Sequence, residues 1–321
     1  MNRGYLFIAL ATLFFSTMEI ALKSIAGEFH PVQINFTRFL VGGLFLIPFA
    51  GRALRKHGVR LERRMLLDFA FLGFVGIVVS MSFYQFAVEN ANASVVAVLF
   101  SCNPVFVFVF AYLILRADIR RHHILALVLE CAGALILINP LHTDISLAGI
   151  VLSALATMTF ALYAVLGTNP CARYSGVVVT CGSFLFASLE MLILIALSHL
   201  GPVADFLADG PLALFANIPV LTGYTPANLF IVLYICIGVT GGGYASYFMA
   251  IESTSALTAS LVFFFKPALA PILALLFLRE PIPFNMVVGI LLILLGSLVS
   301  LLPALTAGPS VLLERFARWK R

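Results

Sequence analysis

Charge is scarce in this sequence. Lys, Arg, Asp and Glu make up 10% of its 321 residues, against about 25% in a soluble domain, and that shortage excludes a water-soluble fold of this length. The cysteines number five, Cys102, Cys131, Cys171, Cys181 and Cys236. Most lie inside apolar stretches and none has metal-ligand spacing, so they read as small buried hydrophobes and offer neither a disulfide framework nor a metal site. A phosphate-binding loop is missing too: the glycine-rich stretch GVTGGGYASY from Gly238 has no lysine and no preceding strand, so direct ATP coupling is unsupported and the small residues permit close helix approach instead. A membrane enzyme acting on a lipid needs acids, histidines or a nucleophile clustered at one interface. The candidates reduce to His122, His123 and Asp118 beside Arg120 and Arg121, which read as a basic cytoplasmic turn. No cofactor and no enzymatic activity are expected.

What the chain has in abundance is apolar surface, 62% of its residues against roughly 45–50% in soluble domains. About 20 apolar residues cross a hydrocarbon core, and ten runs of that kind are present: 4 to 24, 34 to 51, 66 to 88, 93 to 115, 122 to 140, 146 to 167, 177 to 200, 228 to 250, 256 to 278 and 284 to 303. The first is long, carries Glu19 and Lys23 and lacks a small-residue cleavage site, so it reads as a span and not as a signal peptide. The net charge of +5 is spread over span ends, which points to a bilayer and not to nucleic acid as the partner. With the N-terminus inside, one side collects Arg3, the group Arg52, Arg55, Lys56, Arg60, Arg63 and Arg64, then Arg116, Arg120 and Arg121, then Arg173, and finally Arg315, Arg318, Lys320 and Arg321. The other side holds Arg279, Lys23 and acids such as Asp144, Asp205 and Asp209. The positive-inside rule then places both termini in the cytoplasm and favours an even number of spans.

The sequence also repeats itself. ALAT at 9 to 12 recurs at 154 to 157, and Gly4/Gly149 and Phe15/Phe160 keep the same offset of 145. A longer gapless match pairs the stretch from Ser82 with that from Ala245 at offset 163, with Tyr84/Tyr247, Glu89/Glu252, Phe100/Phe263, Pro104/Pro267, Leu115/Leu278 and Arg116/Arg279 identical. The offsets differ by 18, which the long Pro- and Gly-bearing loop between about Gly201 and Asn228 absorbs. Five spans per half is an odd number, so the second half enters from the opposite face. The expected fold is an all-α integral membrane protein of ten transmembrane helices in two inverted five-helix repeats, 1–140 and 146–303, followed by a basic amphipathic tail, 304–321. Inverted repeats are the architecture of secondary transporters that alternate access around a midplane site. In the tail, Leu312, Phe316 and Trp319 fall on one face and Arg315, Arg318 and Lys320 elsewhere, which suits a helix lying in the inner interface.

These features together resemble the drug/metabolite transporter superfamily in its EamA-type branch. The resemblance rests on LFFSTMEIALKS, HPVQINFTRFL, the paired segments AVENANA and AIESTSA, the prolines of spans four and nine, LRE at 278 to 280, and VGILLILLGSLVSL of span ten. It implies an exporter of amino acids or related small metabolites in a bacterial inner membrane, monomer or homodimer, with proton or exchange coupling left open. Nucleotide-sugars, vitamins and organic cations are alternative cargoes. Two departures stand out: the first half reads LRAD where the pattern resembles L-G-E, and Glu19 adds a charge that the family does not generally require.

An ionisable group within a span calls for a partner or a cavity, since a central charge costs about 2.5–3.5 kcal/mol on insertion scales. Glu19 has Lys23 four residues on, a favourable i,i+4 order; the two either neutralise each other near the outer interface or leave Glu19 facing a cavity as a proton or cation site. Lys266 stands before Pro267 with no acid at ±3 or ±4, so its partner comes from another helix or from substrate. Asn103 takes the equivalent place before Pro104, and the symmetry would set it across the cavity from Lys266. Each proline frees a backbone carbonyl one turn earlier. Tyr84, Gln85, Tyr163, Tyr244 and Tyr247 add polar groups on spans three, six and eight. Arg38, expected at the outer mouth of span two, is given a structural or gating role. Glu89 and Glu252 read as helix caps, and Glu130 and Glu190 have no assigned role.

Overall fold

The structure is a computed structural model that describes residues 3–58, 62–116, 121–138, 146–209 and 213–306. Among them there is no β-strand, only an isolated bridge between Ala26 and Phe29. Among the described residues, seven helices are long and apolar enough to cross a membrane: α1 (Arg3–Lys23), α2 (Pro31–Lys56), α3 (Arg63–Asn90), α4 (Ala93–Leu115), α6 (Leu147–Tyr174), α7 (Gly176–Ser198) and α8 (Leu229–Ser253). The other apolar runs fall on α5 (Arg121–Ile138), α9 (Val262–Leu278) and α10 (Phe284–Thr306). Their described apolar stretches are shorter, Ile124–Gly133, Leu269–Leu278 and Phe284–Gly296. The expected amphipathic tail from 307 onward, together with Arg60, Asp118, Arg120 and Asp144, lies outside the described residues.

Burial is distributed as in a protein solvated by lipid. Large apolar side chains such as Leu13, Leu67, Phe71, Leu113, Leu276 and Phe277 are exposed, whereas Glu19, Gln33, Asn35, Arg38, Gln85, Asn103 and Lys266 are buried. In water this arrangement would expose apolar patches far beyond the few hundred Å² typical of a soluble monomer. In a bilayer the lipid-facing surface is apolar, and polar groups face the bundle interior. The chain is a multi-pass membrane protein.

Local chemistry sets the helix ends. Pro31 opens α2, where its missing N–H costs nothing. His30 Nδ1 accepts from Val32 N at 3.2 Å while Gln33 Oε1 accepts from His30 N at 3.3 Å, a reciprocal cap. Ser146 caps α6 through Gly149 N, 3.3 Å away. The carboxylate of Glu252 accepts from Gly176 N at 2.5 Å and Ser175 Oγ at 2.9 Å at the start of α7, the expected capping role. Glu280 does the same for α4, accepting from Ala93 N, Ser94 N and the Ser94 hydroxyl. Negative charge there complements the positive end of the helix.

The most extensive helix pairing is α5 with α10, and glycine makes it possible. A Cβ at Gly133 would lie 2.6 Å from the Gly289 carbonyl oxygen, and one at Gly296 would lie 2.8 Å from that of Ala126, so the backbones approach as small-residue membrane interfaces do. The remaining helices pack as α2 on α7, α3 on α6, α1 on α8, α4 on α9, α4 on α6, α1 on α9, α2 on α8 and α3 on α7.

Several of these helices are broken. Helix α4 is interrupted at Ser101 and Cys102, just ahead of Pro104, which sits in the first turn of its second part. Helix α9 is preceded by a single turn, Ala256–Ala259, and the interruption at Ser260 and Leu261 lies well upstream of Pro267, which stands inside the helix. The expected break at the second proline is therefore displaced towards the N-terminal end. Two wide, π-helical stretches were not foreseen: Phe74–Val79 in α3 and Tyr234–Tyr244 in α8. Wide turns of this kind recur at functional sites.

Candidate functional site

The breaks and wide turns surround one enclosed polar cluster. From α1 comes Glu19 and from α9 comes Lys266, whose Nζ lies 2.5 Å from Glu19 Oε1, both side chains being 0% exposed. The interhelical partner sought for Lys266 is thus Glu19. The alternative pairing of Glu19 with Lys23 is overturned. Lys23 Nζ instead donates to the carbonyl oxygens of Val88 and Ala91 at 2.8 and 2.9 Å, at the end of α3, where carbonyls lack helical partners and favour a cation. The Lys266 ammonium also lies over aromatic faces, 4.8 Å from the Phe100 centroid, 5.8 Å from Tyr84 and 5.9 Å from Phe263, an arrangement that attracts a cation.

Arg38 is not at the mouth of α2. It is fully buried, and its Nε donates to Asn35 Oδ1 at 2.9 Å. Its Nη1 points at Met18 Sδ, 3.9 Å away, and its guanidinium stacks 4.7 Å from the Phe39 ring centroid. Asn35 in turn donates to the Met81 carbonyl oxygen at 2.7 Å. Tyr244, Tyr84, Cys236 and Glu19 are the titratable groups facing the guanidinium. Arg38 and Lys266 thus belong to one electrostatic neighbourhood that includes Glu19 and Tyr84.

Aromatic rings wall this centre. Phe15 packs against Tyr244 at 5.1 Å and Tyr247 at 6.0 Å between centroids, and Phe160 against Phe100 at 5.3 Å, Tyr247 at 5.6 Å and Phe263 at 6.0 Å. Tyr163 lies beside Phe160, with its hydroxyl 2.9 Å from Ser183 Oγ, and its ring occupies the space a Cβ on Gly76 would need, 2.2 Å from that position. Asn103 Nδ2 donates to the Thr157 carbonyl oxygen at 3.2 Å. Several buried polar atoms have no hydrogen-bond partner among the described residues, including Arg38 Nη2, Gln85 Oε1, Asn103 Oδ1, Thr240 Oγ1 and the Tyr247 hydroxyl. Each such atom costs about 1–3 kcal/mol if it stays unpaired.

Three of these groups escaped the sequence reading. Asn35 stands three residues before Arg38, on the same helix face, and QINFTRF carried that signal. Thr240 and the aromatic wall carried none, because phenylalanine is too common here, 30 residues, for any one to stand out. Glu130 is buried where a Cβ on Gly296 would meet its Cγ, and Glu190 is only partly buried on α7. The carboxylate at Lys266 comes from Glu19. Of the proposed enzyme-like group, Asp118 and Arg120 lie outside the described residues.

At one end of the bundle, the segment between α7 and α8 folds over the α1–α2 turn. Gln33 Nε2 donates to the carbonyl oxygens of Val220 and Thr222 at 3.1 and 2.7 Å, and Asn228 Nδ2 to Glu28 Oε2 at 2.5 Å. The Thr37 and Tyr224 hydroxyls bond to each other. His30 Nε2 lies 2.8 Å from the Leu214 carbonyl oxygen. Burial pushes the His30 imidazole below the usual histidine range, against a smaller opposing effect of that carbonyl.

A model of the EamA-like transporter family matches residues 2–139 and again 147–302. An uncharacterized transporter of Clostridium kluyveri is 35% identical, over 94% of this chain and 93% of that protein. Protein PecM of Dickeya dadantii is 27% identical over 82% of this chain and 80% of its own length. A crystal structure of a protein 18% identical superposes over 95% of this chain and 99% of that one, with a TM-score of 0.68, which is a likeness of fold.

Proposed function

The chain belongs to the EamA-like transporter family, and we propose that it is a secondary transporter of the drug/metabolite transporter superfamily that exports amino acids or related small metabolites by alternating access. One observation carries this reading: an enclosed polar cluster at the junction of the two sequence halves, bridged by an ion pair between Glu19 of the first and Lys266 of the second. The site comprises Lys266, Asn103, Glu19, Tyr84, Gln85, Tyr163 and Tyr247, with Pro104, Pro267 and Arg38 shaping it. A pair that joins two moving bodies has to part when they separate, and a substrate able to replace one partner lowers the cost of parting.

Support for two repeats of five spans comes from the packing. Exchanging each helix of the first half for its counterpart five places on turns α3 on α6 into α8 on α1, α4 on α6 into α9 on α1, and α2 on α8 into α7 on α3. The pairs α5 with α10, α2 with α7 and α4 with α9 map onto themselves, and all of these contacts are present. Wide turns occupy matched positions of α3 and α8. Ten spans with both termini cytoplasmic are the topology that this packing symmetry and the basic residues of the sequence favour, and the bacterial inner membrane is what the family resemblance implies.

The test is counterflow in proteoliposomes. Vesicles loaded with unlabelled substrate should accumulate labelled substrate above the level of protein-free vesicles for some members of a panel of amino acids and their derivatives. Fluxes equal to those of empty vesicles across that panel would refute the assignment of amino acids and related metabolites.

A further inference from the structure

The charges of the enclosed cluster do not sum to zero. Among the described residues, two cations, Arg38 and Lys266, share a single carboxyl, Glu19. Wherever the proton between Glu19 and Lys266 resides, that pair contributes nothing to the net charge. Arg38 keeps its own charge in any protein environment. Of the other groups that face the guanidinium, Tyr84 and Tyr244 are phenols and Cys236 is a thiol, so Glu19 is the carboxyl, and it is already engaged by Lys266 at 2.5 Å. Asn35, the Met18 sulfur and the Phe39 ring supply dipoles and a π face, which temper the charge without cancelling it. Nη2, one corner of the guanidinium, has no partner among the described residues.

A fully buried cation with an unused donor is costly to the fold, and an anion that joins it relieves that cost. Resting on the transporter reading above, we infer that the cargo is an organic monoanion: a carboxylate that docks on Arg38 with an apolar or aromatic body against the ring wall. Among amino acids and their relatives, this selects the deaminated or N-acylated acids over the zwitterions. A zwitterion brings no net charge and leaves the cluster positive, whereas a monoanion brings it to zero. The guanidinium is suited to the task, since its planar fork binds carboxylates through two parallel bonds. Thr240 supplies a further hydroxyl from α8, one turn beyond Cys236, where Gly42 of α2 lets the two helices close up, a Cβ there lying 3.0 Å from the Cys236 carbonyl oxygen. The body of the cargo meets Phe15, Phe100, Phe160, Phe263 and Tyr247, rings already in mutual contact.

Three probes with the same benzyl body separate the possibilities: phenylpyruvate, phenylalanine and phenethylamine, each titrated against the detergent-purified full-length chain at neutral pH with the thermal midpoint as readout. Ligand binding to the native state raises that midpoint by mass action. Phenylpyruvate should bind about tenfold more tightly than phenylalanine, with phenethylamine inert, a tenfold ratio being about 1.4 kcal/mol. Arg38→Met should abolish the preference while raising the midpoint of the unliganded protein, because the uncompensated charge is gone. Arg38→Lys, which keeps the charge, should retain the preference and covers the case in which the methionine variant fails to fold. Phenylalanine or phenethylamine binding as tightly as phenylpyruvate, no response to phenylpyruvate, or an unchanged preference in Arg38→Met would each overturn the inference. Counterflow of phenylalanine without preference for the acid would do so while leaving the transporter reading in place.

Discussion

Removing one member of the Glu19–Lys266 pair strands the other in a site where both side chains are 0% exposed, and the cost can be worked out from the simplest escape, a change of protonation. Lys266→Met leaves Glu19 to take up a proton. For a carboxyl of ordinary pKa near 4.3, that costs about 3.7 kcal/mol at pH 7, at 1.36 kcal/mol per unit. Glu19→Gln leaves Lys266 to lose one, about 4.6 kcal/mol for an amine of ordinary pKa near 10.4. Both figures fall near the roughly 3–5 kcal/mol measured for breaking buried pairs. The double variant Glu19→Gln, Lys266→Met has no stranded charge and should be within about 1 kcal/mol of the parent, since replacing a whole buried pair by neutral groups is often harmless. The coupling energy between the two positions, the double-variant effect less both single effects, is then about 7 kcal/mol in magnitude.

Unfolding midpoints in detergent, read for the parent, both single variants and the double, test this directly. The Lys266→Met deficit should also shrink as the pH falls, because protonating an ordinary carboxyl at pH 5.5 costs only about 1.6 kcal/mol. A double variant as unstable as the two singles combined would refute the reasoning, since it would mean that each side chain is stabilised by other groups. Transport adds a second reading. If Lys266 also meets the cargo, the stable double variant should still fail in counterflow. A stable double that transports at the parent rate would confine the pair to folding.

Other consequences are open to direct measurement. Pro104→Ala and Pro267→Ala should each lower transport more than abundance in the membrane, because Pro104 adjoins the interruption of α4 and Pro267 deprives the carbonyl one turn earlier in α9 of its helical donor; unchanged counterflow in both would reduce the prolines to incidental features. Reporter fusions after residue 60 and after residue 321 should be cytoplasmic and one near Ala208 external, and an external C-terminus would remove the ten-span arrangement. Glu280→Gln should cost about 1–2 kcal/mol of stability, as loss of a charged helix cap does, with no change in which cargo is bound; a change in cargo preference would assign Glu280 to the site.

The legibility of this fold in its sequence was uneven for identifiable reasons. Apolar runs located the helices because length and hydropathy are local properties. The partner of Lys266 was not local. The spacing of Glu19 and Lys23 permits a helical ion pair, but Lys23 closes α1 beside the free carbonyls of Val88 and Ala91, and those acceptors outcompete a carboxylate already facing a deeper cation. Arg38 was placed at the mouth of span two, near the start of the apolar run 34 to 51. What holds it inside is Asn35 one turn earlier and the Phe39 ring beneath its guanidinium. The wide turns of α3 and α8 left no trace in residue type, since glycine and valine mixtures such as FVGIVV and YICIGVTGGGY suit an ordinary membrane helix as well.

The two halves share a framework, and comparing matched positions shows where chemistry was added to it. At offset 145, Arg38 and Met18 match Ser183 and Tyr163, and both pairs are in contact, the first through Nη1 and Sδ at 3.9 Å, the second through hydroxyls at 2.9 Å. At offset 163, Met81 and Tyr244 match each other, and the Tyr244 hydroxyl donates to Met81 Sδ at 2.7 Å. The ring pair Phe100 and Phe160 has its counterpart in Phe263 and Phe15, with centroids 5.3 and 6.3 Å apart. These contacts recur with neutral partners, so the framework closes without charge. Glu19, Arg38 and Lys266 each have an uncharged counterpart: Ala164, Ser183 and Asn103. Charges that the matching half dispenses with are not demanded by the packing. Burying them costs stability, and the return on that cost is sought in what the site binds, which is why Arg38, the one cation left without a carboxylate of its own, is the most informative residue to replace first.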